Sequence, residues 1–423
     1  GQGEASLPAL RRAARLHGEQ ANHEAALGLL VIRDKVMRDL AIDERDERWG
    51  HGRVIRADML RGAGRLDEAA RIVDQVVDDA QAHRWKKVMP LALRSLALVA
   101  LEMEDISSAS TLLRRARELF EADDDQKAVA SCAKWQGRVL LRRGNQAVAE
   151  RFFLDAANRF EQAQVPLEQA ACLFWAGVVL RQQGKVDSAM EVLEKAETLY
   201  AAHGDWIGEA DAKQSRGLVL LYRGDLDASE SLQRMAFELH SRLQHDVGAA
   251  DCLNGLAEIA RLRGDLEVAE RNYRSAAAIL SSARASRAVL PQVNLALILI
   301  QREDLDGARK LLESISPSIE RQGKRALLGA VHALFLVVSA DDSESLSWAR
   351  HYRQATSLLQ ETGAVDPDIA WAAQYAGERS VERGYLDRAA QAYALAHDQW
   401  ARLQRDEEAS AVTQALLALD DAN

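Results

Sequence analysis

The sequence predicts an all-α chain: a solenoid of about ten antiparallel helix pairs closed by a C-terminal helix, one repeat array over residues 1–423. Three observations carry this. Residues 223 to 230 read RGDLDASE and residues 263 to 270 read RGDLEVAE, forty residues apart. Steps of about forty reach Gly184, Gly144, Glu104 and Gly64 in one direction, and Glu303, Glu344 and Gly384 in the other. Five residues past each anchor stands a small residue: Ala69, Ala109, Ala149, Ala189, Ser229, Ala269, Ala308, Ala349 and Ala389. Ahead of the anchors, apolar residues recur at helical spacing, as at Cys172, Trp175, Val178 and Val179. Self-similarity at a period between about 20 and 50 residues is the signature of stacked supersecondary units.

The pairs fill residues 5 to 403, and a last helix follows near 405–419. In each pair the anchor Gly closes the first helix in the left-handed conformation, and Arg143, Arg223, Arg263 or Arg383 before it favours the negative end of the helix dipole. Asp67, Asp187, Asp227, Asp306 or Asp387 then supplies the N-terminal acid or cap of the second helix. Both Arg-Gly-Asp tripeptides are therefore frames of the repeat rather than adhesion sites. The run Asp123-Asp124-Asp125 lies between helices and reads as a solvated, N-capping turn, not a metal loop. Cys132, Cys172 and Cys252 occupy one equivalent position on three first helices. Equivalent helices lie roughly 10 Å apart and a disulfide needs Cα atoms within about 7 Å. These are buried thiols, and the compartment is reducing and cytoplasmic. The pair around Val337 and Glu344 lacks both the small residue and the Gly, and its turn SADDSESLS is polar, which predicts an irregularity or kink near 337–347.

Composition narrows the function. Net charge is −10 and the pI near 5.6, against an electrostatic nucleic-acid footprint. Six prolines and no Ser/Gly-rich run leave no linker, and aromatics at 5% with abundant Ala suit closely packed helices. The longest apolar run, Ala326 to Ser339, is too short for a membrane span and matches one repeat helix. No signal peptide is visible. The chain lacks an initiator Met and opens inside a first repeat, which predicts an excised fragment of a larger protein. Only 10 of its 54 basic residues are Lys, a habit of high-GC bacteria. There is no phosphate loop, His-Glu-x-x-His helix, nucleophile elbow or Cys-x-x-Cys, so the expectation is no enzyme, no cofactor and no metal.

The pattern of a small residue, Gly seven on, Ala five further, then an aromatic or Leu and another Ala resembles the tetratricopeptide repeat (TPR). Gly137, Gly177, Gly217 and Gly377, with Ala57, Ala97, Ala257 and Ala296, match its small first-helix position. Ala116, Ala156, Ala196, Ala236, Ala276 and Ala396 match its second-helix alanine. The segment 250–276 is similar to the forty-odd-residue variety seen in kinesin light chains and bacterial signalling proteins. The resemblance implies a right-handed superhelix whose first helices line a concave groove holding a partner segment.

Carried over residue by residue, the groove positions are Arg94, Lys134, Arg138, Arg142, Phe174, Val178 and Arg181, then Gln214, Leu218, Tyr222, Asp251, Asn254 and Glu258. Trp135 and Trp175 lie two residues beyond the family's tryptophan position and are expected to face the groove. Asn254 resembles the family's peptide-clamping asparagine. The groove reads as basic in its middle and more acidic beyond. The expectation is a non-enzymatic module binding a protein or peptide segment, acidic in character, as the sensor or scaffold arm of a bacterial signalling protein. An effector domain would sit on the same or a neighbouring chain, with no direct contact to nucleic acid or membrane. The alternative is a receptor for a small ligand or signalling peptide, which a closed pocket of Trp135, Phe174 and Trp175 would favour.

Overall fold

The computed structural model describes residues 2–19, 22–283, 286–342 and 345–421. The expected anchor Glu344 lies outside them, and with it the middle of the expected irregularity. The chain divides into two compact units, Gly1–Val219 and Leu220–Asn423. The first holds α1 (Gln2–Glu19), α2 (His23–Asp39), α3 (Glu47–Gly62), α4 (Leu66–Ala82), α5 (Val88–Glu102), α6 (Ile106–Ala122), α7 (Gln126–Arg142), α8 (Gln146–Gln162), α9 (Pro166–Gln182), α10 (Val186–Ala202) and most of α11 (Trp206–Arg223). The second holds α12 (Leu226–Arg242), α13 (Asp246–Leu262), α14 (Leu266–Ser282), α15 (Val289–Gln301), α16 (Leu305–Arg321), α17 (Arg325–Ser339), α18 (Ser345–Thr362), α19 (Pro367–Glu382), α20 (Leu386–Arg402) and α21 (Asp406–Asp421). Among the described residues all regular structure is helical, with one short 3-10 turn at Ser286–Ala288. The ten pairs and the closing helix expected from the repeat are present.

The turns explain the period. Gly64, Gly144, Gly184, Gly224, Gly264 and Gly384 all take φ between +72° and +87°. Behind each, two backbone bonds close the helix: Gly264 N–H reaches Arg261 O at 3.0 Å and Asp265 N–H reaches Ala260 O at 2.9 Å. This is the paired closure that a left-handed residue permits. The anchors that are not glycine adopt it too, Glu104 at φ +66° and Glu303 at +61°. Twenty residues out of phase, the second helices stop in the same way at Arg84, Asp124, Gln164, Gln244 and Gln404. The unit of the structure is thus a helix plus a three-residue turn, and α6 through α10 are each 17 residues long.

The tripeptides resolve into separate duties. Asp225 and Asp265 are the N-caps of α12 and α14, accepting from Ala228 N–H at 3.2 Å and Val268 N–H at 3.1 Å. The expected acids Asp67, Asp187, Asp227, Asp306 and Asp387 stand one step inside, in the first turn, where they favour the helix dipole. Arg263 pairs with Asp227 and Glu230 on α12, the second helix of the preceding pair. Asp125 likewise caps α7, accepting from Ala128 N–H at 3.0 Å, while Asp124 takes the left-handed position.

Close approach between helices rests on the small positions. Ala69, Ala109, Ala149, Ala189, Ser229, Ala269, Ala308 and Ala389 are fully buried, as are Ala57, Ala97, Ala257 and Ala296. A Cβ on Gly137 would meet the Phe153 ring at 2.8 Å, one on Gly177 would meet Leu193 at 2.4 Å, and one on Gly377 would meet Tyr393 at 2.6 Å. One small position does not hold: Ala349 is only half-buried, and Trp348 takes the interior slot, donating its indole N–H to Gln391 at 3.0 Å. In the described part of the polar segment before it, Asp341 and Asp342 are held by ion pairs. Asp341 meets Arg379 at 2.5 Å and Arg383 at 3.1 Å, and Asp342 meets Arg309 at 2.9 Å. Cys132, Cys172 and Cys252 are buried thiols. Burial pushes Cys132 up to about 11 and Cys172 up to about 12, so neither is poised as a thiolate.

Two outcomes follow for stability. Gly177→Leu drives a side chain into Leu193, and unfolding in urea should show a loss of about 1–3 kcal/mol from overpacking. Glu104→Gly relieves a left-handed non-glycine residue and should raise the melting temperature, a gain of about 0.5–1 kcal/mol after the greater freedom of glycine in the unfolded chain is subtracted. A Gly177→Leu protein that melts like the original would place the repeat register elsewhere.

Candidate functional site

The first helices of successive pairs pack side by side in the first unit, α3 on α5 and α5 on α7. Because their turns are alike, residues forty apart return to the same face. Arg94 on α5 and Lys134 on α7 are such a pair, and with Trp135 they line an open cleft of about 620 Å³. Ile55, Met59, Leu91 and Leu98 form its apolar floor, and Asp58, Asp125 and Glu168 are the acids of its lining. Asp58 accepts from Ser95 Oγ at 2.7 Å, and Lys134 Nζ meets Glu168 at 2.5 Å while lying 5.3 Å from the Trp135 ring centre.

Two arginines, Arg94 in the cleft lining and Arg138 outside it, are held by rings, not by carboxylates. The Arg94 guanidinium stands 5.7 Å from the Phe120 ring centre. Arg138, one turn after Lys134, lies 3.9 Å above Trp175 and 5.7 Å from Trp135. Neither makes an ion pair among the described residues, so their N–H forks are not committed to acids. Burial, with Arg142 close by, lowers the Arg138 pKa, but a guanidinium remains charged. A cation above an indole face is attracted by the ring's quadrupole. Trp175 in turn stacks on Phe153 at 6.4 Å and meets Phe174 edge-on at 5.4 Å.

The other expected groove residues are distributed differently. Phe174 is half-buried and packs into the core beside Leu193, supporting Trp175 instead of lining the cleft. Arg142 is exposed, beyond Arg138. Arg181 is half-buried; burial lowers its pKa, and its Nε has no hydrogen-bond partner. Gln214 is half-buried on α11. Tyr222 is 67% exposed. In the second unit Asn254 accepts from Asn294 Nδ2 at 3.4 Å. Glu258 is occupied within the fold, bound by Arg261 at 2.5 Å and by the Tyr273 hydroxyl at 2.6 Å.

A second cleft, of about 290 Å³, lies in the second unit on α15, α17 and α19. Leu290, Val293, Leu297, Leu327, Ala330, Leu334 and Ile369 give it an aliphatic wall, and Asn294, Asp366 and Asp368 its polar edge. Asp368 meets Arg261 at 3.1 Å, yet burial, aided by Asp366 and Glu258, pushes its carboxyl up to about 6. The sequence reading missed this cleft although its signal was present. Asn294 and Leu334 continue the column Arg94, Lys134, Phe174, Gln214, Asn254 at the same step of forty. The run Ala326 to Ser339 carries more apolar residues than one buried face requires. Among the described residues no group of three or more His, Cys, Asp or Glu could hold a metal ion, and no helix is long and apolar enough to cross a membrane.

The ring contacts of Arg138 give a measurable difference along one helix. Arg138→Ala should cost about 1 kcal/mol of unfolding free energy. Arg142→Ala, four residues on and exposed, should stay within about 0.5 kcal/mol of the original. Equal effects would mean that the Trp135 and Trp175 contacts contribute nothing.

Comparison with known proteins agrees with this architecture. Residues 208–282 match the tetratricopeptide repeat family. No curated protein sequence matches the chain. Among solved structures, the apo form of RapI superposes with a TM-score of 0.62 at 11% identity, covering 84% of this chain and 98% of RapI. A Rap protein complexed with competence and sporulation factor gives 0.59 at 12%, covering 99% of this chain and 98% of that one. The Rap conjugation gene regulator of the plasmid pLS20, in complex with the Phr* peptide, gives 0.53 at 12%, covering 84% and 96%. At these identities the likeness is one of fold. Residues 208–282 thus match tetratricopeptide repeats, and the chain shares its fold of stacked helix pairs with RapI.

Proposed function

We propose that the chain is a non-enzymatic interaction module that holds an acidic protein or peptide segment against the first helices of its first unit. The observation that carries this is the pair Arg94 and Arg138. Both guanidinia are positioned over aromatic rings, and both keep their donor forks off the protein's own acids. A fork fixed in this way has lost side-chain freedom before binding and presents parallel N–H donors matched to a carboxylate. The apolar floor of Ile55, Met59, Leu91 and Leu98 beside it accepts a neighbouring aliphatic or aromatic side chain. Arg94, Lys134, Trp135, Arg138 and Trp175 are the residues assigned to the partner, with Arg142 at the edge. Arg181 and Gln214 extend the same face along the first unit, Asn254 holds the equivalent register position in the second, and Phe174 acts through Trp175.

Two structural neighbours were solved with a bound factor or peptide, which supports a segment-binding role for helix pairs of this kind. One of them is a gene regulator, in keeping with a sensor or scaffold arm whose effector lies on the same or another chain. The buried thiols suit a reducing, cytoplasmic setting. The alternative of a small-ligand receptor at Trp135, Phe174 and Trp175 is less favoured, because that cleft is open and Phe174 is turned into the core.

The test is charge reversal at Arg94, Lys134 and Arg138, each to Glu, read with a fluorescein-labelled ten-residue peptide carrying Asp and Glu on both sides of a Leu. The dissociation constant should rise more than tenfold, about 1.4 kcal/mol, with the helical spectrum intact. Raising salt should weaken the original complex. The same reversal at Arg114 and Arg151, exposed on second helices, should change binding little. A triple variant that keeps full affinity at low salt would end this assignment.

A further inference from the structure

The strongest feature outside that cleft is the smaller one on α15, α17 and α19, which lies wholly in the second unit. Its wall is aliphatic on all three helices, and no aromatic ring lines it. A volume of about 290 Å³ suits a small body and is at the low end of ligand sites. Its mouth has the opposite electrical character from the basic cleft. Glu258 and Asp368 share the guanidinium of Arg261, which Asp368 meets at 3.1 Å and Glu258 at 2.5 Å, and Asp366, close to Asp368, adds a third acid. Of the other cations at this end of the helices, Arg287 is paired with Asp251 at 2.7 Å, and burial weakens the hold of Lys324 on its proton. Asn294 spends its amide N–H on Asn254 and keeps its amide oxygen as an acceptor on the cleft edge.

We propose that this cleft is a binding site for a small aliphatic amine, its chain against Val293, Leu297, Leu327 and Leu334 and its ammonium at Asp366, Asp368 and the amide oxygen of Asn294. An apolar wall with a few convergent polar groups is the usual build of a small-molecule site. The sign of the ligand's charge follows from the mouth. A carboxylate would meet acids there, a neutral alcohol would gain only the wall, and an ammonium gains both. Burial first, then the nearby Asp366 and Glu258, push the Asp368 carboxyl up to about 6, and an added cation favours its charged form. The site is independent of the proposed partner cleft, since it shares no lining residue with it.

The experiment uses the full chain and three isosteric probes, n-hexylamine, 1-hexanol and hexanoate, titrated by protein NMR at pH 7. The expected order is hexylamine at least tenfold tighter than hexanol, with hexanoate weaker still. Asp366→Asn with Asp368→Asn should bring hexylamine down to the level of hexanol; Asn at 366 preserves the helix cap. Ala330→Phe should fill the cleft and abolish binding of both amine and alcohol. Equal binding of amine and alcohol by the original chain overturns the proposal, as does absence of hexylamine binding. So does hexylamine binding that survives Ala330→Phe, which would place the amine on the acidic surface. The comparison of probes on the original chain decides the matter even where a variant folds poorly.

Discussion

Most helices here stop on a residue in the left-handed region, and the surfaces of the molecule depend on where that happens. The stop fixes the turn at three residues and most helices at 17, so the chain returns to the same point of the same face every forty residues. An α-helix advances 100° per residue. One extra residue between α5 and α7 would therefore carry Lys134 away from Arg94. The forty-residue columns are held in line by turn geometry, and the small residues behind them let the helices approach closely enough for adjacent columns to form one cleft.

A column is indifferent to the chemistry it presents. At one register position the chain places Arg94 and Lys134 in the first unit and Asn294 and Leu334 in the second, and the two clefts acquire different linings from the same backbone rule. Aromatic rings do in the first what carboxylates usually do. Phe120, Trp135 and Trp175 hold the guanidinia of Arg94 and Arg138 without neutralising them. In the second unit acids outnumber the guanidinium between them, and Tyr273, hydrogen-bonded to Glu258, has its pKa raised by burial beside that carboxylate.

Much of this was legible in the residues. The glycine anchors gave the first-helix stops, and the small positions gave the packing face, because both answer to local steric rules. Several second-helix stops were hidden, since Arg84, Asp124, Gln164 and Gln244 take a conformation their side chains do not prefer, whereas Gly204, Gly323 and Gly363 mark theirs openly. Ala349 misled for a related reason: its pair lacks the glycine, Asp341 and Asp342 before it are held by ion pairs, and Trp348 takes the slot. Arg94 and Lys134 were carried over from the repeat family's groove positions, and both line the cleft of the first unit. What register could not show was how each side chain is engaged: Glu258 is bonded to Arg261 and Tyr273, and Phe174 packs beside Leu193.

The central claim is that the first unit selects acid next to an apolar side chain. Selection of a random ten-residue peptide library on the full chain tests it most directly, because it asks what the surface chooses without presuming a partner. The account predicts sequences enriched in Asp and Glu within a few residues of Leu, Ile, Phe or Trp, lost when Arg94 and Arg138 are both Ala. Enrichment of basic peptides, or of sequences indifferent to those two arginines, would contradict it.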